Sequence, residues 1–382
     1  MRGNENKAGI YIHIPFCKQA CHYCNFHFST SLGLKEAFIK SLIKELETRK
    51  NYLGSDSVQS IYFGGGTPSL LSDLETGIIL DTIYKNFSVT ENAEITLEAN
   101  PDDISLQKLK ELKTAGINRL SIGIQSFHDR DLLLMNRAHN AMEAVKCLQN
   151  SFDAGFDNIT ADLIYGIPGL TQQEWEMNIK TLLSYPVEHI SCYALTIEPK
   201  TVMQHMIQTK KMSPPDEERT VEQFNLLVDL ITENKFEHYE ISNFARNKKY
   251  SIHNSSYWFG NKYLGAGPSA HSFNGITRQW NVSNNAIYIN SIDNNELAFE
   301  IETLTPAQKM NERIMTSLRT MWGFDLDNFI LEFGHDNLVK LRKEATKYFE
   351  LNYLEEKNKH MMITKAGKFI SDKIISDLFF VD

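Results

Sequence analysis

The sequence predicts an α/β chain: an incomplete barrel or open doubly wound sheet of six strand–helix units within residues 1–275, a connecting segment at 276–302, and a mostly helical, winged-helix-like domain at 303–382. Three observations carry that expectation. Apolar β-runs alternate with helical patterns from residue 9 to residue 198, as in βαβ units that build a parallel sheet. Several of these runs are polar or small at every second residue, where a strand covered on both faces would be apolar throughout. From residue 303 the pattern turns helical and ends in "LNYLEEKNKHMMITKAGKFISDKII", a helix end, a short hairpin and a last helix.

In chain order, "GIYIHIPF" sets Ile10, Ile12 and Ile14 on one face and Tyr11 and His13 on the other, and Pro15 ends the strand. The helix "LKEAFIKSLIKELETRK" leads to the strand "SIYFGGG", which closes in Gly64, Gly65, Gly66, Thr67, Pro68 and Ser69. Glycines there permit close backbone approach to a ligand, and Pro68 and Ser69 suit a helix start. "EITLEAN" aligns Thr96, Glu98 and Asn100 opposite Ile95, Leu97 and Ala99, and "SLQKLKELKTAG" follows as a helix. "RLSIGIQS" aligns Ser121, Gly123 and Gln125, and "NITADLIYGIP" aligns Thr160 and Asp162. The helix "TQQEWEMNIKTLLSYP" and the strand "HISCYALTIE" complete the array. Four strands with a polar or small face turned from the helices imply a sheet whose inner surface surrounds a ligand. Beyond it come the helix "SPPDEERTVEQFNLLVDLITENK" and an aromatic, polar stretch without sustained period, "FEHYEISNFARNKKYSIHNSSYWFGNKYLGAGPSAHSF".

With 42% hydrophobic and 23% charged residues, the 382-residue chain has the make-up of a compact soluble protein. Its N-terminal "MRGNENKAGIYIHIPFC" lacks the apolar core of a signal peptide, and no membrane-length apolar run occurs, so a cytoplasmic location is expected. A net charge of -9 without a basic patch argues against a nucleic-acid partner, for the winged-helix-like domain too.

Three of the five cysteines, Cys17, Cys21 and Cys24, fall within "CKQACHYCNF". In a reducing compartment such a group reads as a metal or redox site rather than a disulfide framework. Thiolates four and three residues apart on a looping chain reach three corners of one cubane and leave its fourth iron open to a chelating molecule. A zinc site completed by His13, His22 or His27 is the alternative. Cys147 and Cys192, in a helix and a strand, read as small buried residues.

The CxxxCxxC spacing after a first strand resembles the radical S-adenosylmethionine (SAM) superfamily. That resemblance implies a (β/α)6-type barrel and a [4Fe-4S] cluster on Cys17, Cys21 and Cys24, with the methionine end of S-adenosyl-L-methionine on the open iron. It also implies a clamp for that methionine at Gly65, Gly66 and Thr67 and a carboxylate contact from Glu98. Tyr11, Tyr23, Gln125, Arg137 and Asp162 fall at matching positions of the coproporphyrinogen oxidase branch; for Arg137 and Asp162 a structural ion pair is the alternative.

Within this branch, oxygen-independent coproporphyrinogen III oxidases carry a further cysteine two residues past the third and an N-terminal extension. This chain has Phe26 at that position, and 16 residues precede Cys17. Haem chaperones of the HemW type are marked by CxxxCxYCxF and HNxxYW, and "CKQACHYCNF" and "HNSSYW" match both. The resemblance thus implies a chaperone that binds haem and delivers it to acceptor haem proteins, membrane-associated ones included. Oxidative decarboxylation of a porphyrinogen is the competing reading, and no residue is assigned a catalytic role. His253 is the candidate axial ligand, Tyr257 and Trp258 candidate stacking surfaces for the porphyrin, and His271 in "GAGPSAHS" a weaker candidate ligand. The resemblance further implies a peripheral position at the membrane as a variant of the cytoplasmic one, and a flavodoxin- or ferredoxin-type electron donor where the nucleotide is cleaved reductively.

Overall fold

The computed structural model describes residues 7–381. Strands β1 (Lys7–Ile14), β2 (Ser57–Gly65), β3 (Val89–Ala99), β4 (Arg119–Gln125), β5 (Ile159–Tyr165) and β6 (His189–Ala194) pair in parallel in chain order. A doubly wound sheet reverses its order at a switch point. This one does not, so its crossovers stay on one side, as in a barrel wall. Ile10, Ile12, Ile14, Leu97 and Leu120 share one core with Phe38 and Leu42 of the helix Lys35–Thr48, Ile79 of Asp73–Asn86 and Leu109 of Leu106–Thr114. Reciprocal capping boxes at Ser72/Glu75, Asn140/Glu143 and Thr171/Glu174 set where three of the helices begin.

Two short strands, β7 (Glu237–His238) and β8 (Asn243–Ala245), extend the sheet antiparallel beyond β6. On the other side β9 (Lys262–Ala266) runs parallel to β1, followed by antiparallel β10 (His271–Phe273), β11 (Thr277–Asn281) and β12 (Phe299–Thr303), in a 12-stranded sheet. Residues 276–302, expected as a connector, therefore belong to the sheet. They supply β11, most of β12 and the helix Asn285–Asp293, whose Tyr288 hydroxyl donates to Glu45 at 2.7 Å. The strands escape a pattern reading because they lie at an edge, where nearly every residue is half-buried or exposed and no clean alternation develops.

The C-terminal domain has a separate core around Ile314, Phe324, Phe329 and Leu341. Strands β13 (Phe324–Asp325), β14 (Leu354–Lys357) and β15 (His360–Ile363) form its small sheet in the order β13-β15-β14, among helices that include Leu326–Phe333 and His335–Glu350. The β14–β15 hairpin turns on Asn358 and Lys359, both at positive φ, the backbone of a type I′ turn. Met321 N–H donates to the Tyr239 carbonyl at 2.9 Å, and Arg278 pairs with Glu312, fastening this domain to the barrel.

Candidate cluster and nucleotide site

β1 brings the chain to the C-terminal edge of the parallel sheet, where Pro15 ends it. The Cys17 N–H donates to the Ser29 carbonyl (3.0 Å) and the Ser29 N–H to the Pro15 carbonyl (2.9 Å), closing the cysteine loop at its root. His22 pins the far side: its N–H donates to Met135 O (3.0 Å), its Nδ1 to Leu134 O (2.9 Å), and its own carbonyl accepts from Met203 N–H (3.0 Å). Arg137 Nη1 lies 3.4 Å from Cys21 Sγ and 3.4 Å from the Tyr23 hydroxyl. Burial pushes the Cys17 thiol up to about 11 against a hydrogen bond from Thr67, and burial raises Cys24 as well.

This donor set fits an iron–sulfur cluster. Thiols that burial keeps protonated are deprotonated by metal binding, and a guanidinium beside them offsets the resulting negative charge. Arg137 Nε is buried without an acceptor. The imidazoles a zinc site would recruit are engaged elsewhere: His13 Nε2 donates to His27 O (3.0 Å), His27 Nε2 meets Asn285 Oδ1 (2.7 Å), and His22 is held by Leu134. Among the described residues no three His, Cys, Asp or Glu side chains converge on a single ion.

The glycine run is built into the same corner. Gly66 N–H donates to Ile14 O (2.8 Å) and Thr67 N–H to Phe16 O (2.7 Å), so these donors hold the root of the cysteine loop. A Cβ on Gly66 would stand 2.6 Å from Phe16 O, and Gly65, at φ +106, would put one 2.6 Å from the His13 ring. Gly66 is glycine because two stretches of backbone meet there, and Gly65 because of its positive φ and the adjoining His13 ring.

Glu98 and Asp162 line the recess below. Burial pushes each up to about 7, Glu98 against a 2.8 Å hydrogen bond from Tyr62, Asp162 against the charge of Arg119. Ser121 Oγ lies 3.5 Å from Asp162. Gln125 sits at φ +66 after a bulge in β4, a backbone conformation that costs about 1 kcal/mol or more. Arg137 Nη2 donates to Asn100 Oδ1 (2.6 Å) and Gly123 O (3.0 Å) and to no carboxylate, so the expected alternative of an ion pair with Asp162 is not what the fold builds. The recess thus gathers Glu98, Asp162, Gln125, Arg137 and Tyr23 at the mouth, with Tyr11 deeper, stacked on Tyr62 at 6.1 Å. Tyr62 went unnamed in the sequence, although it lies on the polar face of its strand by the same period of two, and Asn100, aligned with Glu98 there, had no role until Arg137 met it.

His253, Tyr257 and Trp258 lie elsewhere. The helix Ile252–Trp258 plugs the base of the barrel, near the first residues of the strands, where Glu94 accepts the N–H groups of Ile252 (3.1 Å) and His253 (3.0 Å) and pairs with Arg119 at 3.6 Å. Arg119 also bonds Thr160, which meets His189 Nδ1 at 3.0 Å, and His189 Nε2 meets the Tyr239 hydroxyl at 2.7 Å. His253 is 1% exposed, with Nδ1 at 2.9 Å from Ser60 Oγ, Nε2 at 2.8 Å from the Tyr257 hydroxyl and its ring stacked on Tyr62 at 4.9 Å. Burial, with Arg119 nearby, holds this imidazole down at about 3. The axial-ligand expectation for His253 meets a core residue with both nitrogens engaged. The spacing holds the reason: residues 253 and 257 share a helix face and bond each other, while residue 258 falls on the next face. His271 is exposed on β10, 6.0 Å from the Trp280 ring.

Residues 11–182 match the Radical SAM superfamily and residues 304–370 the HemN C-terminal domain. The chain is 32% identical over 368 residues to "Heme chaperone HemW" of Bacillus subtilis (95% of this chain, 97% of that one). It is 31% identical over 379 residues to the protein of that name from Lactococcus lactis (99% of each). The solved structure of the coproporphyrinogen III oxidase HemN from Escherichia coli, 21% identical, superposes with a TM-score of 0.85 over 99% of this chain and 91% of that one, a likeness of fold. With a three-cysteine loop at the mouth of a singly wound barrel and near full-length similarity to such relatives, the chain belongs to the HemW family of the radical SAM superfamily.

Proposed function

We propose that this protein is a haem chaperone: it binds haem and passes it to acceptor haem proteins, on a scaffold that carries a [4Fe-4S] cluster on Cys17, Cys21 and Cys24 and S-adenosyl-L-methionine beside it. The observation that carries this reading is similarity over almost the whole chain to proteins named haem chaperones, in a sequence with Phe26 where the oxidases have a further cysteine. Phe26 is 70% exposed at the rim of the cysteine loop.

Within this reading Cys17, Cys21 and Cys24 would hold the cluster, which when bound would supply an electron to a nucleotide beside it. The chain's residues do the holding. Arg137 offsets charge at the thiolates and fixes Asn100 and the Tyr23 hydroxyl. The stitched run Gly64–Thr67 sets the distance between the loop and the barrel wall. Glu98, Asp162 and Gln125 offer carboxylates and an amide to the polar groups of the nucleotide, and Tyr11 forms the floor.

The test is one anaerobic reconstitution assayed three ways: haem titration, conversion of coproporphyrinogen III, and transfer of bound haem to an apo-haem protein. Retention and transfer of haem without porphyrinogen turnover is the expected result. Turnover of coproporphyrinogen III without haem retention would replace the chaperone reading with that of an oxidase.

A further inference from the structure

Resting on the chaperone reading and deepening it, we propose that the cargo haem docks in the groove between the base of the barrel and the C-terminal domain, with His360 Nε2 as its iron ligand. The groove, open to solvent along one side, offers about 1530 Å³, ample for a macrocycle. Its walls include Trp258 and Phe259, where the "HNSSYW" helix ends, and Trp322 from the C-terminal domain, with the Phe259 and Trp322 rings 4.8 Å apart. Such rings offer flat apolar surface to a porphyrin face.

His360 stands at the start of β15 and lines this groove. Its Nδ1 lies 3.0 Å from the Asn358 carbonyl. A carbonyl only accepts, so Nδ1 carries the proton and, in the neutral ring, Nε2 keeps its lone pair. Orientation of one ring nitrogen by a backbone carbonyl is what a metal-binding imidazole requires of its surroundings. Nε2 makes no hydrogen bond among the described residues and faces the Asp325 carboxylate at 3.9 Å, beyond hydrogen-bond reach. Iron would take the Nε2 lone pair with no proton leaving the ring. By contrast, both nitrogens of His253 and of His189 are already bonded, and among the described residues no hydrogen bond sets the tautomer of the exposed His271.

Charge around the groove suits a dianionic cargo. Asp56 is paired with Lys262 (2.9 Å), Glu332 with Arg313 (3.1 Å) and Asp327 with Lys359 (2.7 Å), while Lys7 and Lys357 outweigh the one remaining acid, Asp325. Haem held here by one protein ligand keeps a sixth position for a ligand from the acceptor. It also lies on the opposite side of the base plug from the cysteine loop, so cargo exchange and cluster chemistry occupy separate compartments.

The experiment uses the full chain with its cluster reconstituted anaerobically, and titrates haem by the Soret band into wild type, His360→Ala and His253→Ala. His360→Ala is expected to weaken binding by about tenfold or more and to shift the Soret band, with added imidazole restoring it. Thermal midpoint and cluster iron should stay at wild-type values, because the side chain leaves no core. Wild-type affinity and spectrum in His360→Ala would overturn the groove while the chaperone reading stands. So would loss of binding in a folded His253→Ala variant while His360→Ala binds normally. Failure of the wild-type chain to bind haem would overturn the chaperone reading itself, and the groove with it.

Discussion

The mouth and the base of the barrel are lined by one alternation of polar residues along the same strands, and they treat those residues in opposite ways. At the base, Glu94, Arg119, Thr160, His189 and Tyr239 form a connected chain of ion pair and hydrogen bonds, with His253 closed between Ser60 and Tyr257. At the mouth, two carboxyls are pushed up to about 7 and thiols are raised by burial. Polar residues inside a fold either satisfy each other, and then they are architecture, or they await something else. A polar inner face therefore says that a barrel has a wet interior, and only the pairing within it says where a ligand belongs.

The largest expected effect falls at the mouth. Alanine at Cys17, Cys21 and Cys24 together should abolish a cluster of about four irons per chain while leaving the far-ultraviolet spectrum intact. Iron and sulfide analysis after anaerobic reconstitution checks this, and full cluster content in the triple variant would break the assignment.

Next comes the base. Arg119→Met leaves Glu94 buried without its cation and should cost about 3–5 kcal/mol in urea unfolding. His253→Ala removes two hydrogen bonds and leaves a void, for about 2–4 kcal/mol. Both should still accept a cluster well below their melting temperatures. A base variant with wild-type stability and lost cluster would reverse the division of labour between mouth and base.

A smaller effect is expected for Glu98→Ala, which should weaken nucleotide binding by about tenfold, or about 1.4 kcal/mol, with cluster content unchanged. Isothermal titration of the reconstituted variant measures it. Loss of stability without loss of affinity would move Glu98 from the ligand-facing class to the architectural one.

The smallest effect is a difference in pH slope. In the nucleotide-free protein the folded state holds the Glu98 proton up to about 7, above the ordinary 4.5, so that stabilisation is full below 4.5 and is lost as pH rises to about 7. The base imidazole does the reverse: His253 is held down at about 3 from 6.5, so stability falls as pH drops through that window. Glu98→Gln should flatten the loss on the alkaline side and leave the acid-side loss in place, as urea midpoints between pH 4 and pH 7 would show. Equal slopes in wild type and variant would mean that Glu98 is ionised throughout.

Much of this architecture is written in local patterns. The isoleucines of β1, the Thr96–Glu98 alternation of β3 and the capping boxes at Asn140 and Thr171 act within a few residues, and local sterics and hydrogen bonding suffice to read them. The cysteine spacing is local too, which is why the loop, its three thiols and the adjoining glycine run could be named from the sequence. Local rules also showed that several strands face a polar interior.

They could not show how that interior is divided. Glu94 and Arg119 meet across neighbouring strands, and Glu94 also caps a helix that begins at Ile252; such pairings depend on sheet register and on the return of a distant segment. The role of "HNSSYW" followed from that return: the segment docks under the barrel, where Ser60 and Tyr62 meet the His253 ring and Trp258 is left facing the groove. The edge strands β11 and β12 were likewise decided by partners, since half-exposed strands carry little periodicity of their own. Hydrophobic patterning specifies which face of an element is buried, whereas the satisfaction of buried polar groups is a property of atoms brought together from far along the chain, and it exists only once the fold has closed.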